Sequence, residues 1–157
     1  QMKLTQHTDY GLRALIALAV APDRRLTVNG ISAAYGISRN HLVKVVAKLA
    51  DLGYVETTRG KGGGVRLARA PEDIRVGHVV REMEAGLGVV ECLGKNGGGC
   101  VISPVCQLKG LFEEATQAFL AALDEHRLSE LVRPQAPVAR LLNIPIKVEN
   151  AAPAAIN

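Results

Sequence analysis

The stretch from Tyr35 to Leu67, YGISRNHLVKVVAKLADLGYVETTRGKGGGVRL, decides the fold. Its first half sets Leu42, Val45, Val46, Leu49 and Leu52 at the spacing of one buried helical face. Ser38 stands where a helix N-cap belongs, and Gly53 where a glycine ends one. Upstream, a short helix is predicted over about residues 28–35, with Gly36-Ile37 as the turn between the two. Two short helices joined by a glycine turn make a helix-turn-helix. In the second half, Tyr54–Thr57 and Val65–Ala68 read as paired strands around RGKGGG at residues 59–64. A hairpin directly after a helix-turn-helix is a wing. The expected fold class is therefore mainly α with a small β wing.

The same stretch is basic. Between Arg39 and Arg69 lie seven cations against two anions, Asp51 and Glu56, within a chain of net charge +4. That stripe is the footprint of a phosphate binder. At the start of the second helix, Ser38, Arg39, Asn40, His41 and Lys44 are candidate DNA contacts. Arginine can fork onto guanine and asparagine can pair with adenine in the major groove. Arg59, Lys61, Gly62 and Gly63 are the candidate wing contacts, because a backbone without side chains can approach a phosphate closely. A nucleotide-binding loop is excluded: Lys61 is followed by Gly62 rather than Ser or Thr.

Outward toward the N-terminus, Leu12, Leu15, Ile16 and Ala19 recur as a buried stripe, predicting a helix over about residues 5–20. Pro22-Asp23 stops it. Toward the C-terminus, Pro71–Asp73 is expected to start a fourth helix with Ile74, Val79, Val80 and Met83 inward. A long helix is expected from Cys106, with Leu108, Leu111, Phe112, Ala115, Phe119 and Leu123 on one side. Such a face needs a partner, and the same helix of a second subunit is the expected one, giving a homodimer. The expected organisation is a winged helix-turn-helix head over residues 2–86, a cysteine loop over 87–105, a dimerisation helix over 106–133 and a flexible tail over 134–157.

The cysteine loop carries the second half of the chemistry. All three cysteines of the chain, Cys92, Cys100 and Cys106, fall within CLGKNGGGCVISPVC, spaced C-x7-C-x5-C. An odd count cannot be closed into disulfides within one chain, which favours a reducing compartment and metal ligation. Thiolates suit zinc and iron–sulfur clusters. The C-x2-C knuckles of zinc sites are missing, so the wider loop fits a cluster better. A thiol oxidoreductase or other enzyme is disfavoured, since the sequence has neither C-x2-C nor a paired-carboxylate constellation. No stretch reaches the ~20 apolar residues needed to cross a bilayer. The expectation is a soluble cytoplasmic protein that is not an enzyme.

LTQHTDYGLRALIALA at the start, YGISRNHLVKVVAKLADLGYV, the wing RGKGGGVRL and VGHVVREME together resemble the winged-helix iron–sulfur transcriptional regulators of bacteria, over roughly residues 2–133. Within them the resemblance is to the nitric-oxide-sensitive repressors. It implies a homodimer with a cluster on Cys92, Cys100 and Cys106, and Asp9 of the opposite subunit as fourth ligand. It also implies a repressor that releases operator DNA when the cluster is nitrosylated. Two departures stand out. The first cysteine interval is two residues longer than the usual C-x5-C-x5-C. A related sensor of cluster biogenesis places a histidine ligand three residues after the last cysteine, where this chain has Lys109. That favours a 4Fe–4S over a 2Fe–2S cluster. The alternative is a general iron–sulfur or redox-status regulator with a 2Fe–2S cluster. His41 belongs to the recognition helix. His7, His78 and His126 are expected to be ordinary surface or core residues.

Overall fold

The computed structural model describes residues 3–94 and 97–147. Helix α1, Gln6–Val20, is the centre of the head. Thr5 caps it, its hydroxyl accepting from the Thr8 amide at 3.3 Å. Ala14, Leu15, Ala17, Leu18 and Val20 are sealed from solvent, whereas Leu12 and Ile16 are only partly covered. The buried surface thus keeps Leu15 and Ala19 of the predicted stripe and turns away from Leu12 and Ile16. The reason is that α1 is packed at once by the helix over 39–51, the helix over 76–83, the strand over 64–67 and two later helices. A helix walled on several sides hides small residues that a single-stripe pattern ignores.

Helix α2, Val28–Tyr35, starts at Thr27, whose hydroxyl accepts from the Gly30 amide at 2.9 Å. It ends at Gly36, held at φ 66°. Helix α3, Arg39–Asp51, buries Leu42, Val45, Val46 and Leu49 as predicted, with Leu52 partly covered. Ser38 occupies the N-cap position but makes no capping hydrogen bond through its side chain. Strands β1, Val55–Thr58, and β2, Gly64–Leu67, pair antiparallel with Val55 opposite Leu67 and Thr57 opposite Val65. Each is offset from expectation by about a residue. A rung the sequence did not suggest joins Leu26 to Val65 through reciprocal backbone hydrogen bonds of 2.8 and 2.7 Å. The wing is therefore sewn to the segment that leads into α2.

Three expectations change downstream. Pro71–Asp73 forms only a 3-10 turn, and α4 runs Val76–Met83. Between them Ile74 and Arg75 are extended, because they pair with the chain around Arg127: Val76 donates to the His126 carbonyl at 3.0 Å and Leu128 to the Ile74 carbonyl at 2.9 Å. The predicted helix over 106–133 is also broken. Helix α5 covers Gln107–Asp124, and a separate short helix α6, Leu128–Leu131, turns back onto the head with Leu128 fully buried. Arg81 fixes the break by a two-pronged pair with the Asp124 carboxylate at 2.6 and 2.7 Å. Gly77 lets α4 come this close, since a Cβ there would lie 2.0 Å from an Asp124 oxygen. Finally, part of the expected tail is folded. Helix α7, Gln135–Leu141, buries Ala139 and is followed by buried Leu142. Gln135 donates to the Val20 carbonyl at 2.5 Å, and Arg24 to the Pro145 carbonyl at 2.8 Å. The remainder of that tail, residues 148–157, lies outside the described residues.

Helix α5 keeps most of its apolar side open. Leu120 is its buried residue, while Leu108, Leu111 and Phe119 are exposed. No helix among the described residues is long and apolar enough to cross a membrane.

Burial raises the Tyr35 phenol to about 12, Arg13 opposing weakly. Burial, followed by the hydrogen bond from its hydroxyl to Glu82, raises Tyr54 further. A raised native value means that the unfolded chain gives up the proton first, so stability is lost as the pH climbs from about 10 to about 12. An alkaline titration followed at 295 nm is expected to show a late phase that Tyr35→Phe reduces. A titration unchanged by that replacement would contradict the assignment.

Candidate functional site

The head presents two basic elements that line one cleft. At the first turn of α3, Ser38, Arg39, Asn40 and Lys44 are exposed. The guanidinium of Arg39 donates through Nε to Oδ1 of Asn29 on α2, at 2.7 Å. His41 differs from its neighbours. It is half-buried and turned toward α1, edge-on to Tyr10 at 4.8 Å between ring centroids and stacked on His7 at 6.4 Å. It therefore links α3 to α1 as much as it faces outward.

At the wing tip, Arg59 and Lys61 are exposed. Gly62 sits at φ 77°, in the left-handed region. Gly63 has an ordinary φ but no room: a Cβ would meet the Thr58 carbonyl oxygen at 2.2 Å. The Gly63 amide donates to the Gly60 carbonyl at 3.0 Å, closing the turn. The glycines thus have an internal reason to be there, a tight turn, beside the close approach to DNA expected of them. The cleft, about 580 Å³ in volume, is lined by Asn29 of α2, by Arg39, Val43, Val46 and Ala47 of α3 and by Thr57–Gly60 of the wing.

The cysteine loop follows α4. A 3-10 turn at Glu91–Leu93 carries Cys92, and another at Ser103–Val105 precedes Cys106. Gly98 folds back onto the first turn, where a Cβ would meet the Cys92 backbone at 3.0 Å. Ser103 donates to the Cys100 carbonyl at 3.1 Å, and Cys106 to the Ser103 carbonyl at 3.5 Å. All three thiols are free, Cys100 exposed and the other two half-buried. Among the described residues no three His, Cys, Asp or Glu groups converge as a metal site. The donor chemistry nevertheless fits an iron–sulfur cluster: three soft thiols carried on a loop with little side-chain bulk, each reachable from solvent. Asp9, on the first turn of α1, is engaged instead by Arg13, at 2.9 Å.

Several residues at this junction were missed by sequence reasoning. Glu84, the extended residue that caps the C-terminus of α4, receives the Thr5 amide at 3.2 and 3.1 Å, the Thr5 hydroxyl at 3.1 Å and the Thr8 hydroxyl at 2.5 Å. Thr8 is fully buried. Tyr54 donates to Glu82, and Arg69 lies 4.6 Å above the Tyr54 ring while donating to the Leu52 carbonyl at 3.2 Å. These bonds join α4 to the wing. No local pattern points to this contact, since Glu84 lies 79 residues from Thr5.

Known proteins resemble this chain in sequence and in fold. The chain is 49% identical over 144 residues to the HTH-type transcriptional regulator NsrR of Bacillus subtilis (strain 168), covering 91% of this chain and 99% of that one. The NsrR of Geobacillus kaustophilus (strain HTA426) is 44% identical over 142 residues, covering 90% and 97%. Among solved structures, IscR of T. potens superposes with a TM-score of 0.65 at 26% identity, covering 84% of this chain and 87% of that one. Oxidised CymR of Staphylococcus aureus gives 0.67 at 25% identity, covering 84% and 97%. These relatives are regulators rather than enzymes, and their fold is the mainly helical one with a small two-stranded wing seen here. Residues 4–134 match the family described as iron-dependent transcriptional regulators, and with that match and the relatives above the chain belongs to the Rrf2 family.

Proposed function

We propose that this regulator is a homodimeric, cytoplasmic repressor that binds double-stranded operator DNA, holds an iron–sulfur cluster of the 4Fe–4S type and lets go of the operator in response to nitric oxide. The observation that carries the reading is the pairing, in one chain, of a basic helix-and-wing cleft with three free thiols on a glycine-rich loop that follows the wing and α4 in sequence. Cys92, Cys100 and Cys106 would hold the cluster, with Asp9 of a second subunit completing the set. When bound, such a cluster supplies iron atoms reactive toward nitric oxide.

The rest follows from the chain's own contacts. Asp9 sits between His7 and Tyr10, and both of those rings touch His41 on α3. A shift of the first turn of α1 therefore reaches the recognition helix directly. Arg13 lies ready as the alternative partner of Asp9, one turn along. The C-terminal cap of α4, Glu84, which stands shortly ahead of the loop in the chain, bonds to the same turn. Two heads read a two-fold site when their recognition helices stand about one DNA turn apart, roughly 34 Å. A change in the loop that moves α1 alters that separation. Exposed Arg39, Asn40, Lys44, Arg59 and Lys61 would supply the DNA contacts, with the Gly62-Gly63 backbone at the wing tip.

Anaerobically purified protein titrated with nitric oxide, followed by visible absorption and gel shift together, tests the reading. The expected result is loss of cluster absorption in step with release of the DNA fragment. Equal affinity of iron-loaded and iron-free protein for that fragment would overturn it. A 2Fe–2S spectrum would favour the general redox-status reading instead. Asp9→Ala is expected to leave the melting temperature nearly unchanged, because an exposed i, i+4 ion pair contributes only ~0.3–0.5 kcal/mol. It is expected to change the concentration of nitric oxide needed for release, and an identical titration curve would remove Asp9 from the ligand set.

A further inference from the structure

We propose that Asn29 is a specificity-positioning residue: it aims the Arg39 guanidinium so that its terminal edge reads a guanine. The inference rests on the DNA-binding reading of the α3 cleft. Arg39 is the first residue of α3, exposed, and its Nε–H is taken by Oδ1 of Asn29 at 2.7 Å. A guanidinium can present two donor pairs, the side edge that uses Nε and the end edge made of the two Nη groups. With Nε engaged, the end edge is the one left, and among the described residues it has no other partner. Two parallel N–H donors at that edge match the O6 and N7 acceptors of guanine in the major groove. An unsupported arginine samples many rotamers, and fixing one before contact lowers the ordering cost of binding.

Asn29 is well placed for this because its own position is fixed on two sides. Thr27 caps the helix that carries it, at 2.9 Å. The residues just before are tied to the wing: Leu26 bonds to Val65, and Arg25 donates to the Thr58 hydroxyl at 2.5 Å. Asn29 thus relays the position of the wing to the base-reading end of α3. Both residues line the same cleft, opposite Arg59. Asn29 acts on the base only through Arg39.

The test uses iron-loaded full-length protein and a duplex selected by it from a randomised library. Binding by fluorescence anisotropy is measured on that duplex, on each single-base-pair variant and on a random duplex. Arg39→Ala is expected to erase a guanine preference at one position of each half-site. Asn29→Ala is expected to weaken the same preference by about tenfold and leave the other positions and the random duplex unchanged. Asn29→Asp keeps the acceptor and is expected to retain the preference, though its charge lowers affinity for every duplex alike. If Asn29→Ala lowers affinity evenly at all positions, or leaves the guanine preference intact while Arg39→Ala removes it, the inference fails and the reading of Arg39 stands. If Arg39→Ala changes no position selectively, Arg39 reads no base and the inference falls with it. Thermal melts of each variant separate these outcomes from misfolding.

Discussion

Replacing Cys92, Cys100 and Cys106 together by alanine is expected to give colourless, iron-free protein whose operator affinity is lowered about a hundredfold, the effect of ~2.7 kcal/mol of coupling between the two sites. The structure makes this a clean experiment. Cys100 is exposed and the other two thiols are half-buried, outside the hydrophobic core formed around α1 and α3. Substitutions at such positions usually change stability by no more than about 0.5 kcal/mol. The melting temperature should therefore stay close to that of the iron-free parent. Affinity would fall because the loop, freed from its anchor, no longer fixes the first turn of α1, and His41 and α3 lose their reference. The wing and the α3 cations remain, so binding to random duplex, which depends on phosphate charge and falls steeply with salt, should persist. Iron content, visible spectrum and anisotropy on specific and random duplexes check each part. A triple variant that stays brown and responds to nitric oxide like the parent would end the sensor reading.

The local signals in the sequence were strong where one helix or one hairpin explains the pattern. The buried face of α3 and the wing with its glycines are of that kind: each is set by neighbours within a few residues. The break after Asp124 was not legible, because its cause is distant. Residues 126–128 pair with 74–76, and Arg81 seizes Asp124 across 43 residues. The apolar pattern of α5 ran on into Leu128 and Leu131 without a proline or glycine to stop it. The folded part of the tail was hidden for a related reason. Ala139 and Leu142 look unremarkable in a proline- and alanine-rich stretch, and they are buried only because α1 offers them a surface. At the candidate site, residue types that bind metal or DNA announced themselves. The residues that position them did not: Asn29, Glu84 and Tyr54 are ordinary until their partners are known.

Glu84 shows how much such a residue can carry. Glu84→Ala is expected to destabilise the head by about 2 kcal/mol, a fall in melting temperature of roughly 4–8 °C for a chain of this size. The carboxylate accepts from the Thr5 amide, the Thr5 hydroxyl and the Thr8 hydroxyl at the start of α1. Thr8 is fully buried, and without Glu84 its hydroxyl keeps only a 3.2 Å contact with Thr5. A buried hydroxyl that loses its strong partner costs ~1–3 kcal/mol. Negative charge beside a helix N-terminus adds ~0.3–1 kcal/mol, which is lost as well. Glu84→Gln retains an acceptor of the same shape and should cost about half as much. A double-mutant cycle with Thr8→Val isolates the contact, with a coupling of ~0.5–3 kcal/mol expected. The same bond ties α1 to the C-terminal cap of α4, from which the chain leads into the cysteine loop, so its loss should also loosen the loop from the head. Iron-loaded Glu84→Ala is therefore expected to show a smaller ratio between its iron-loaded and iron-free operator affinities than the parent. If the variant melts lower but keeps the parental ratio, Glu84 supports the fold alone and the signal reaches α1 by another route.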